Sequence, residues 1–226
     1  MKVNKDTQIC VSLAKKAGNF GTTLHNSAFR SLDLNFIYKA CSVDCLEDAI
    51  LGIRALCIRG AGVTMPYKRD VLNYVDICDE TALEIGAANT IVNDGGVLHA
   101  YNTDAFSTST VLSEQNLNRD LYILGSGGFA AAVRYSAKKL NIQNICTITR
   151  KEWHTIKTIR DSIVFNCTPV ENMSQVVDSS NSFLDCLTST SNGARMAILQ
   201  ATKQFELYTG IKFPIMIIDT DTWKLK

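Results

Sequence analysis

Three short runs of the sequence hold the side chains best suited to chemistry on a small polar molecule. The runs are Gly62-Val63-Thr64-Met65-Pro66-Tyr67-Lys68, Ala88-Asn89-Thr90 and Asn102-Thr103-Asp104. Together they supply an amine, a carboxylate and carboxamides, each beside a rigid or β-forming segment. An amine held near a carboxylate can pass a proton to an oxygen that gains charge, and carboxamides bind hydroxyl groups. The runs therefore predict a site that binds a polyol and moves a proton.

In this order and at this spacing, the three runs resemble motifs of the shikimate dehydrogenase family (VT-x-P-[FY]-K, G-A-x-N-T and N-T-D). Any one run alone is a weak signal, whereas three in order are specific. The resemblance implies that Lys68 and Asp104 form a catalytic pair, since reducing a ketone creates an alkoxide that must receive a proton. Each residue also has a structural interpretation, Lys68 as a solvated lysine and Asp104 as a helix N-cap.

The resemblance also implies substrate contacts from Thr64, Asn89 and Gln200. Gln200 lies in the run from Leu199 to Gly210, LQATKQFELYTG, which is similar to the family's C-terminal Q-x3-QFELWTG signature. The alternatives are that Asn89 bonds its own backbone at a strand end and that Gln200 is a surface residue of a helix.

One run departs from the family pattern. Where the family has a serine-x-serine-proline run whose hydroxyls hold the substrate carboxylate, this chain has Asn19-Phe20-Gly21-Thr22. Asn19 and Gly21 therefore stand at the carboxylate-binding positions. The N-F-G-T-T run and the opening N-K-D-T-Q resemble those of shikimate dehydrogenase-like paralogues.

Alternating strands and helices are expected to position these residues. The predicted elements are strands at Thr7–Leu13, Asn35–Cys41, Gly60–Thr64, Ala88–Val92 and Val97–Tyr101, and helices at His25–Leu32, Asp44–Leu56 and Ala105–Glu114. Lys68 would then lie just beyond a strand end, where α/β folds keep reactive groups. The turn Asn93-Asp94-Gly95-Gly96 predicts a tight hairpin that places Asn89 and Asn102 on paired strands.

A second domain is predicted to open as a nucleotide-binding fold. A strand at Leu121–Leu124 precedes the loop Gly125-Ser126-Gly127-Gly128-Phe129-Ala130, which is followed by a helix to Leu140 and a strand at Asn144–Thr149. Such a loop is weak evidence alone, but at a strand-to-helix junction its amides and the helix dipole suit a pyrophosphate. Gly125, Gly127, Gly128 and Ala130 are the expected contacts.

The residues after the next strand favour NADP as the cofactor. An NAD enzyme would show an acid there for the ribose hydroxyl, whereas this chain has Thr149-Arg150-Lys151. Two cations favour a 2′-phosphate. The family's usual run is asparagine-arginine-threonine, so Arg150 follows from the resemblance and Lys151 from charge alone. The run from Asn166 to Pro169 resembles the family's N-[AC]-[TS]-P turn, which implies that Asn166 and Thr168 lie beside the cofactor.

The second domain is predicted to be shortened. The run from Lys151 to Arg160 provides only ten residues before the next predicted strand, Ser162–Asn166, although parallel crossovers usually need a dozen residues or more. No strand is predicted between Pro169 and Ser191. A helix at Ala194–Tyr208 is expected to pack back on the first domain. The fold class is thus α/β, with a substrate domain at 1–103 joined by 193–226, and a shortened Rossmann-type domain at 104–192.

Composition narrows the range of partners. The 226 residues carry a formal net charge of +1 with no basic stripe, which argues against nucleic acid or anionic membranes and for a small-molecule substrate. Eight cysteines without a C-x-x-C pair and three scattered histidines predict no metal site. Because the sequence has no apolar run long enough to span a membrane, the chain is expected in the cytoplasm. A monomer or a homodimer is expected.

Two functions remain open from the sequence. The first is NADPH-dependent, reversible reduction of 3-dehydroshikimate or a related cyclic hydroxy acid, as the resemblance implies. The second is a catalytically weak or inactive paralogue that binds a small molecule. The intact Lys68 and Asp104 favour the first, and the shortened nucleotide domain favours the second.

Overall fold

A computed structural model describes residues 3–225 and divides the chain into two compact units. The first unit comprises the chain up to Thr103 together with the chain from Gln200 onward, and the second comprises Asp104–Leu199. Within residues 3–225, no helix has both the length and the apolar character needed to cross a membrane.

The first unit is built on a six-stranded mixed sheet. Its strands are β1 (Gln8–Ala14), β2 (Phe36–Ser42), β3 (Gly60–Val63), β4 (Ile77–Cys78), β5 (Thr90–Asp94) and β6 (Val97–Tyr101), in the order β2-β1-β3-β5-β6-β4. β1 runs parallel to β2 and β3, and β5 runs antiparallel to β3 and β6. The helices are α1 (Phe20–Ser31), α2 (Leu46–Ala55) and α3 (Glu80–Ile85).

Apolar residues from β1, α2, β3 and the hairpin form one core in this unit. Val11, Ile53, Val63, Ile91 and Leu98 are all buried in it. The hairpin turns at Gly95 and Gly96, which have φ of +62° and +99°, values that side chains other than glycine, asparagine and aspartate adopt with difficulty. The core therefore holds the ends of β3, β5 and β6 in a fixed relation.

Helix α1 begins at Phe20 rather than at the predicted His25. Its first two turns are held by polar bonds to β2, because Oγ1 of Thr22 accepts from Ala40 N at 3.0 Å and Nδ2 of Asn26 donates to the Tyr38 carbonyl at 2.8 Å. The spacing of apolar residues does not reveal such polar bonds, so it could not predict this helix start.

The second unit contains a four-stranded parallel sheet, in the order β10-β9-β7-β8. Its elements are α4 (Asp104–Ser113), β7 (Leu121–Leu124), α5 (Gly128–Lys139), β8 (Ile145–Ile148), β9 (Ile163–Asn166), β10 (Ser182–Asp185) and the start of α6 (Ser191–Thr209). A 3₁₀ helix at Arg150–Thr158 occupies the connection from β8 to β9. α6 continues into the first unit from Gln200 onward.

The prediction of no strand between Pro169 and Ser191 is wrong. β10 pairs with β9 in parallel, with Ser182 opposite Ile163 and Asp185 opposite Asn166. The strand is four residues long, and its apolar residues are the adjacent pair Phe183 and Leu184. A segment this short shows no periodicity, so its pairing depends on β9 rather than on its own pattern.

Candidate active site

The loop that carries Lys68 is fixed by backbone and tyrosine hydrogen bonds. After β3, Thr64 N donates to the Leu13 carbonyl at 3.0 Å, and Oη of Tyr67 donates to the Val43 carbonyl at 2.6 Å. The Lys68 carbonyl accepts from Ala88 N at 2.7 Å. Lys68 is half-buried and Thr64 is exposed. The backbone of Lys68 is therefore held directly beside the segment that contains Asn89.

Asn89 lies at the centre of a buried network of amides and hydroxyls, and it is only 2% exposed. Its Oδ1 accepts from Thr103 N at 2.8 Å and from Oγ1 of Thr90 at 2.9 Å. Its Nδ2 donates to Oγ1 of Thr103 at 2.9 Å and to Oε1 of Gln200 at 3.2 Å. Nε2 of Gln204 donates to the Asn89 carbonyl at 3.0 Å. The structure thus brings Asn89 and Gln200 together, with Thr90, Thr103 and Gln204 as partners to which the sequence analysis had assigned no role.

Asn89 and Asn102 lie just outside the hairpin strands, so the prediction that both are on paired strands is wrong. β5 begins at Thr90 and β6 ends at Tyr101. The carboxamide of Asn102 donates to the Ala87 carbonyl at 2.7 Å. The side chains of Asn89 and Asn102, together with the backbone bond from Asn89 N to the Tyr101 carbonyl at 3.1 Å, join the segments that enter and leave the hairpin.

The two positions predicted to bind a carboxylate, Asn19 and Gly21, carry no hydroxyl group. Asn19 is exposed, precedes α1 and makes no side-chain cap bond. Gly21 lies in the first turn of α1, where an added Cβ would come within 3.2 Å of Cε1 of Tyr38. A side chain at position 21 therefore requires a small movement of the Tyr38 ring.

His25 is fully buried beneath this region and is stacked on Tyr38, with ring centroids 4.4 Å apart. Neither of its ring nitrogens has a hydrogen-bond partner among residues 3–225 that meets ordinary geometric limits. Burial lowers the pKa of His25 to about 4. His25 is consequently neutral at physiological pH and acts as a packing residue.

Asp104, the second member of the predicted catalytic pair, is the first residue of α4 and is 3% exposed. Its carbonyl accepts hydrogen bonds from Oγ of Ser107 and Oγ1 of Thr108, each at 2.9 Å. These bonds fix the start of the helix. Lys68 belongs to the first unit and Asp104 to the second, and their pairing stays a prediction.

The glycine loop of the second unit has the shape expected of a phosphate cradle. Gly125 has a φ of +105°, and an added Cβ would lie 2.9 Å from Cγ2 of Thr168. Gly127 is the N-cap of α5, and an added Cβ there would meet nothing within 4 Å. Ala130 is buried in the first turn. The open backbone at a helix N-terminus fits a dinucleotide pyrophosphate.

Asn166 and Thr168 shape the turn beside this loop. Oδ1 of Asn166 accepts from Thr168 N at 3.0 Å and from its Oγ1 at 2.7 Å. Nδ2 of Asn166 donates to Oδ1 of Asp185 at 3.2 Å and to the Val170 carbonyl at 3.1 Å. Direct contact of these residues with a cofactor stays a prediction, while their internal bonds hold Thr168 against Gly125.

Arg150 and Lys151 are exposed at the start of the 3₁₀ helix, and neither side chain forms a hydrogen bond or ion pair with any residue of 3–225. Glu152, which sequence reasoning missed, has an internal role. Its Oε2 accepts from Thr149 N at 2.9 Å and from Oγ1 of Thr149 at 2.8 Å. These bonds lower the pKa of Glu152. The T-x-x-E spacing of a capping box was the available signal.

Comparison with known proteins shows which family this chain resembles. The family profile of the shikimate dehydrogenase substrate binding domain matches residues 20–91. A shikimate dehydrogenase-like protein of Haemophilus influenzae is 33% identical over an alignment of 250 positions, gaps included, which covers 92% of each chain. This chain belongs to the shikimate dehydrogenase family. The predicted family is thereby confirmed, and membership of it supports an oxidoreductase of the shikimate dehydrogenase type.

Other members of the family show how far the similarity extends. The solved structure of a shikimate 5-dehydrogenase-like protein is 31% identical, with a TM-score of 0.81 over 93% of this chain and 94% of that one. It confirms the predicted α/β fold class. A shikimate dehydrogenase (NADP(+)) of Caldanaerobacter subterraneus is 37% identical, but the match covers 56% of this chain and about half, 47%, of that protein.

Proposed function

We propose that this chain catalyses the reversible, NADPH-dependent reduction of 3-dehydroshikimate or a related cyclic hydroxy acid. The observation that carries the proposal is the buried network of Asn89, Thr103 and Gln200, held beside the Lys68 loop by the bond from Ala88 N to the Lys68 carbonyl. Amide and hydroxyl groups in a fixed arrangement suit a ring with several hydroxyl groups. Family membership supports the oxidoreductase class.

In this proposal, the bound dinucleotide supplies a hydride to the ring ketone. Lys68 donates a proton to the ketone oxygen as negative charge develops there, and Asp104 orients the ammonium group and favours its charged form. Thr64, Asn89 and Gln200 bond the ring hydroxyls. Half-burial of Lys68 limits its access to water.

NADP is the proposed cofactor because Arg150 and Lys151 are two exposed cations of the second unit, directly after β8 and Thr149. Neither side chain has a hydrogen-bond or ion-pair partner among residues 3–225. Guanidinium and ammonium groups bind phosphate by charge-assisted hydrogen bonds. The name of the Caldanaerobacter relative, shikimate dehydrogenase (NADP(+)), agrees with this choice. Gly125, Gly127, Gly128 and Ala130 would receive the pyrophosphate.

A second candidate is a catalytically weak or inactive paralogue that binds a small molecule. It is favoured by Asn19 and Gly21, which offer one carboxamide where the family motif offers two hydroxyls. The sheet of the second unit has four strands, which is consistent with the predicted shortening of the nucleotide-binding domain. This candidate retains the Asn89 network as a binding site.

Titration with NADPH, followed by fluorescence, and a steady-state assay with shikimate and NADP separate the two candidates. Saturable NADPH binding together with measurable shikimate oxidation supports the enzyme. Shikimate binding without dinucleotide binding supports the binding protein and rejects the enzyme.

Arg150→Ala is expected to weaken NADPH binding by about 1.5–3 kcal/mol, because it removes a charge-assisted hydrogen bond to the 2′-phosphate. NADH affinity should hardly change. Lys157→Ala is the matched control, since it removes one exposed cation from the last turn of the same 3₁₀ helix. Equal loss of NADPH and NADH affinity in Arg150→Ala would contradict the assignment.

The double substitution Asn19→Ser with Gly21→Ser is expected to lower the KM for shikimate by about tenfold or more, since each hydroxyl bond to a carboxylate contributes about 1.5–3 kcal/mol. The kcat should stay nearly constant, because the new bonds act equally on ground and transition states. The close approach of position 21 to Tyr38 will reduce the gain. A parent KM already equal to that of the double variant would reject the idea.

A further inference from the structure

Glu152 places an exposed carboxylate at the start of the 3₁₀ helix, directly after β8. Its Oε2 accepts both the backbone N–H and the hydroxyl of Thr149, at 2.9 and 2.8 Å. Thr149 is the residue directly after β8, so both donors lie at the carboxyl end of a parallel strand. In open α/β sheets this edge is where nucleotides bind.

The same edge adjoins the glycine loop. Gly125 N donates to the Ile148 carbonyl at 2.9 Å, and Leu124 pairs with Ile148 in the sheet. A dinucleotide whose pyrophosphate occupies the loop therefore extends its adenosine toward Thr149. The groups that would meet its ribose are the donors of Thr149, the cations Arg150 and Lys151, and the Glu152 carboxylate.

Charge at this edge is mixed. Arg150 and Lys151 attract a 2′-phosphate, whereas Glu152 repels it and already occupies the Thr149 donors. A carboxylate can instead accept a hydrogen bond from the 2′-hydroxyl of NADH. The two effects act in opposite directions on the choice between the cofactors.

Building on the proposed function, we infer that Glu152 is a specificity-determining residue that weakens the preference for NADPH and admits NADH. The chain should therefore bind both cofactors, with NADPH favoured by less than about tenfold, because one carboxylate offsets much of the attraction of the cations.

Glu152→Gln tests this inference with little change in shape. The glutamine carbonyl oxygen can still accept from Thr149 N, so the start of the 3₁₀ helix is retained. The variant removes one negative charge. The ratio of NADPH to NADH affinity should rise by about tenfold, with NADH affinity unchanged or lower.

Asp120→Asn is the matched control. Asp120 lies directly before β7, at the amino end of the strand and so opposite the carboxyl end where Glu152 lies. Its Oδ1 accepts from Nδ2 of Asn144 at 2.8 Å. The control removes the same charge from the same unit, and the affinity ratio should stay at the parent value. Titrations of both cofactors, by fluorescence and calorimetry, are made on the parent and both variants, with circular dichroism to verify folding.

The outcomes separate this inference from the proposed function. A rise of the ratio in Glu152→Gln alone supports the inference. Parent binding of NADPH with an unchanged ratio in folded Glu152→Gln, or an equal rise in Asp120→Asn, overturns the inference and leaves the proposed function standing. Failure of all three proteins to bind either cofactor overturns both.

Discussion

Lys68→Ala is expected to lower kcat for shikimate oxidation by about a hundredfold or more, because general acid–base catalysis by one positioned group contributes a factor of this size. The Kd for NADPH should stay nearly constant, since the interaction of Lys68 develops only as charge moves on the substrate oxygen. Single-turnover and steady-state kinetics, together with an NADPH titration, measure the two effects separately.

Lys212→Ala provides the comparison for loss of a lysine in the same unit, because Lys212 is exposed and is not one of the predicted site residues. Its kcat should match that of the parent. Near-parental turnover in Lys68→Ala would remove Lys68 from the catalytic pair, and a change confined to ligand affinity would favour the binding protein.

Asn89→Ala is expected to reduce the free energy of unfolding by about 2–4 kcal/mol and to raise KM for shikimate. The substitution leaves the buried Thr103 N–H without its 2.8 Å acceptor, and it removes the amide that donates to Gln200. Denaturant unfolding measures the first effect and steady-state kinetics the second.

Asn93→Ala separates stability from function, because Asn93 is buried at the other end of β5. Its Oδ1 accepts from Gly96 N at 2.7 Å, and its Nδ2 donates to the Ile53 carbonyl at 3.2 Å. This variant should lose stability with no change in KM. An equal rise of KM in both variants would show that the effect of Asn89 is structural.

The sequence predicted those elements whose own residues carry the signal. Gly95 and Gly96 have the positive φ that their types suggest, and β7 with the following glycine loop has the predicted strand-to-helix form. The Asn89–Gln200 contact also joins two residues that the family motifs had placed in one site. Local chemistry was sufficient in each case.

Features that depend on distant partners escaped prediction. β10 forms by pairing with the edge of β9, and the first two turns of α1 are held by side-chain bonds to β2. Thr103 and Gln204 stand inside recognised motifs, yet their bonds to Asn89 depend on the folded arrangement. Hydrophobic patterning reports burial and gives no information on such polar bonds.

The interrupted course of the chain through the first unit affects the order in which it can fold. Gln204 reaches back 115 positions to the Asn89 carbonyl, and Nε of Arg59 donates to the Tyr208 carbonyl across 149 positions. During synthesis, Asp104–Leu199 emerges as one uninterrupted segment and can fold as a unit, whereas the Asn89 network must wait for the residues that follow it. Contacts between residues so far apart in sequence slow folding. The strands of the first unit therefore stay incompletely packed for longest during synthesis, which exposes them to aggregation.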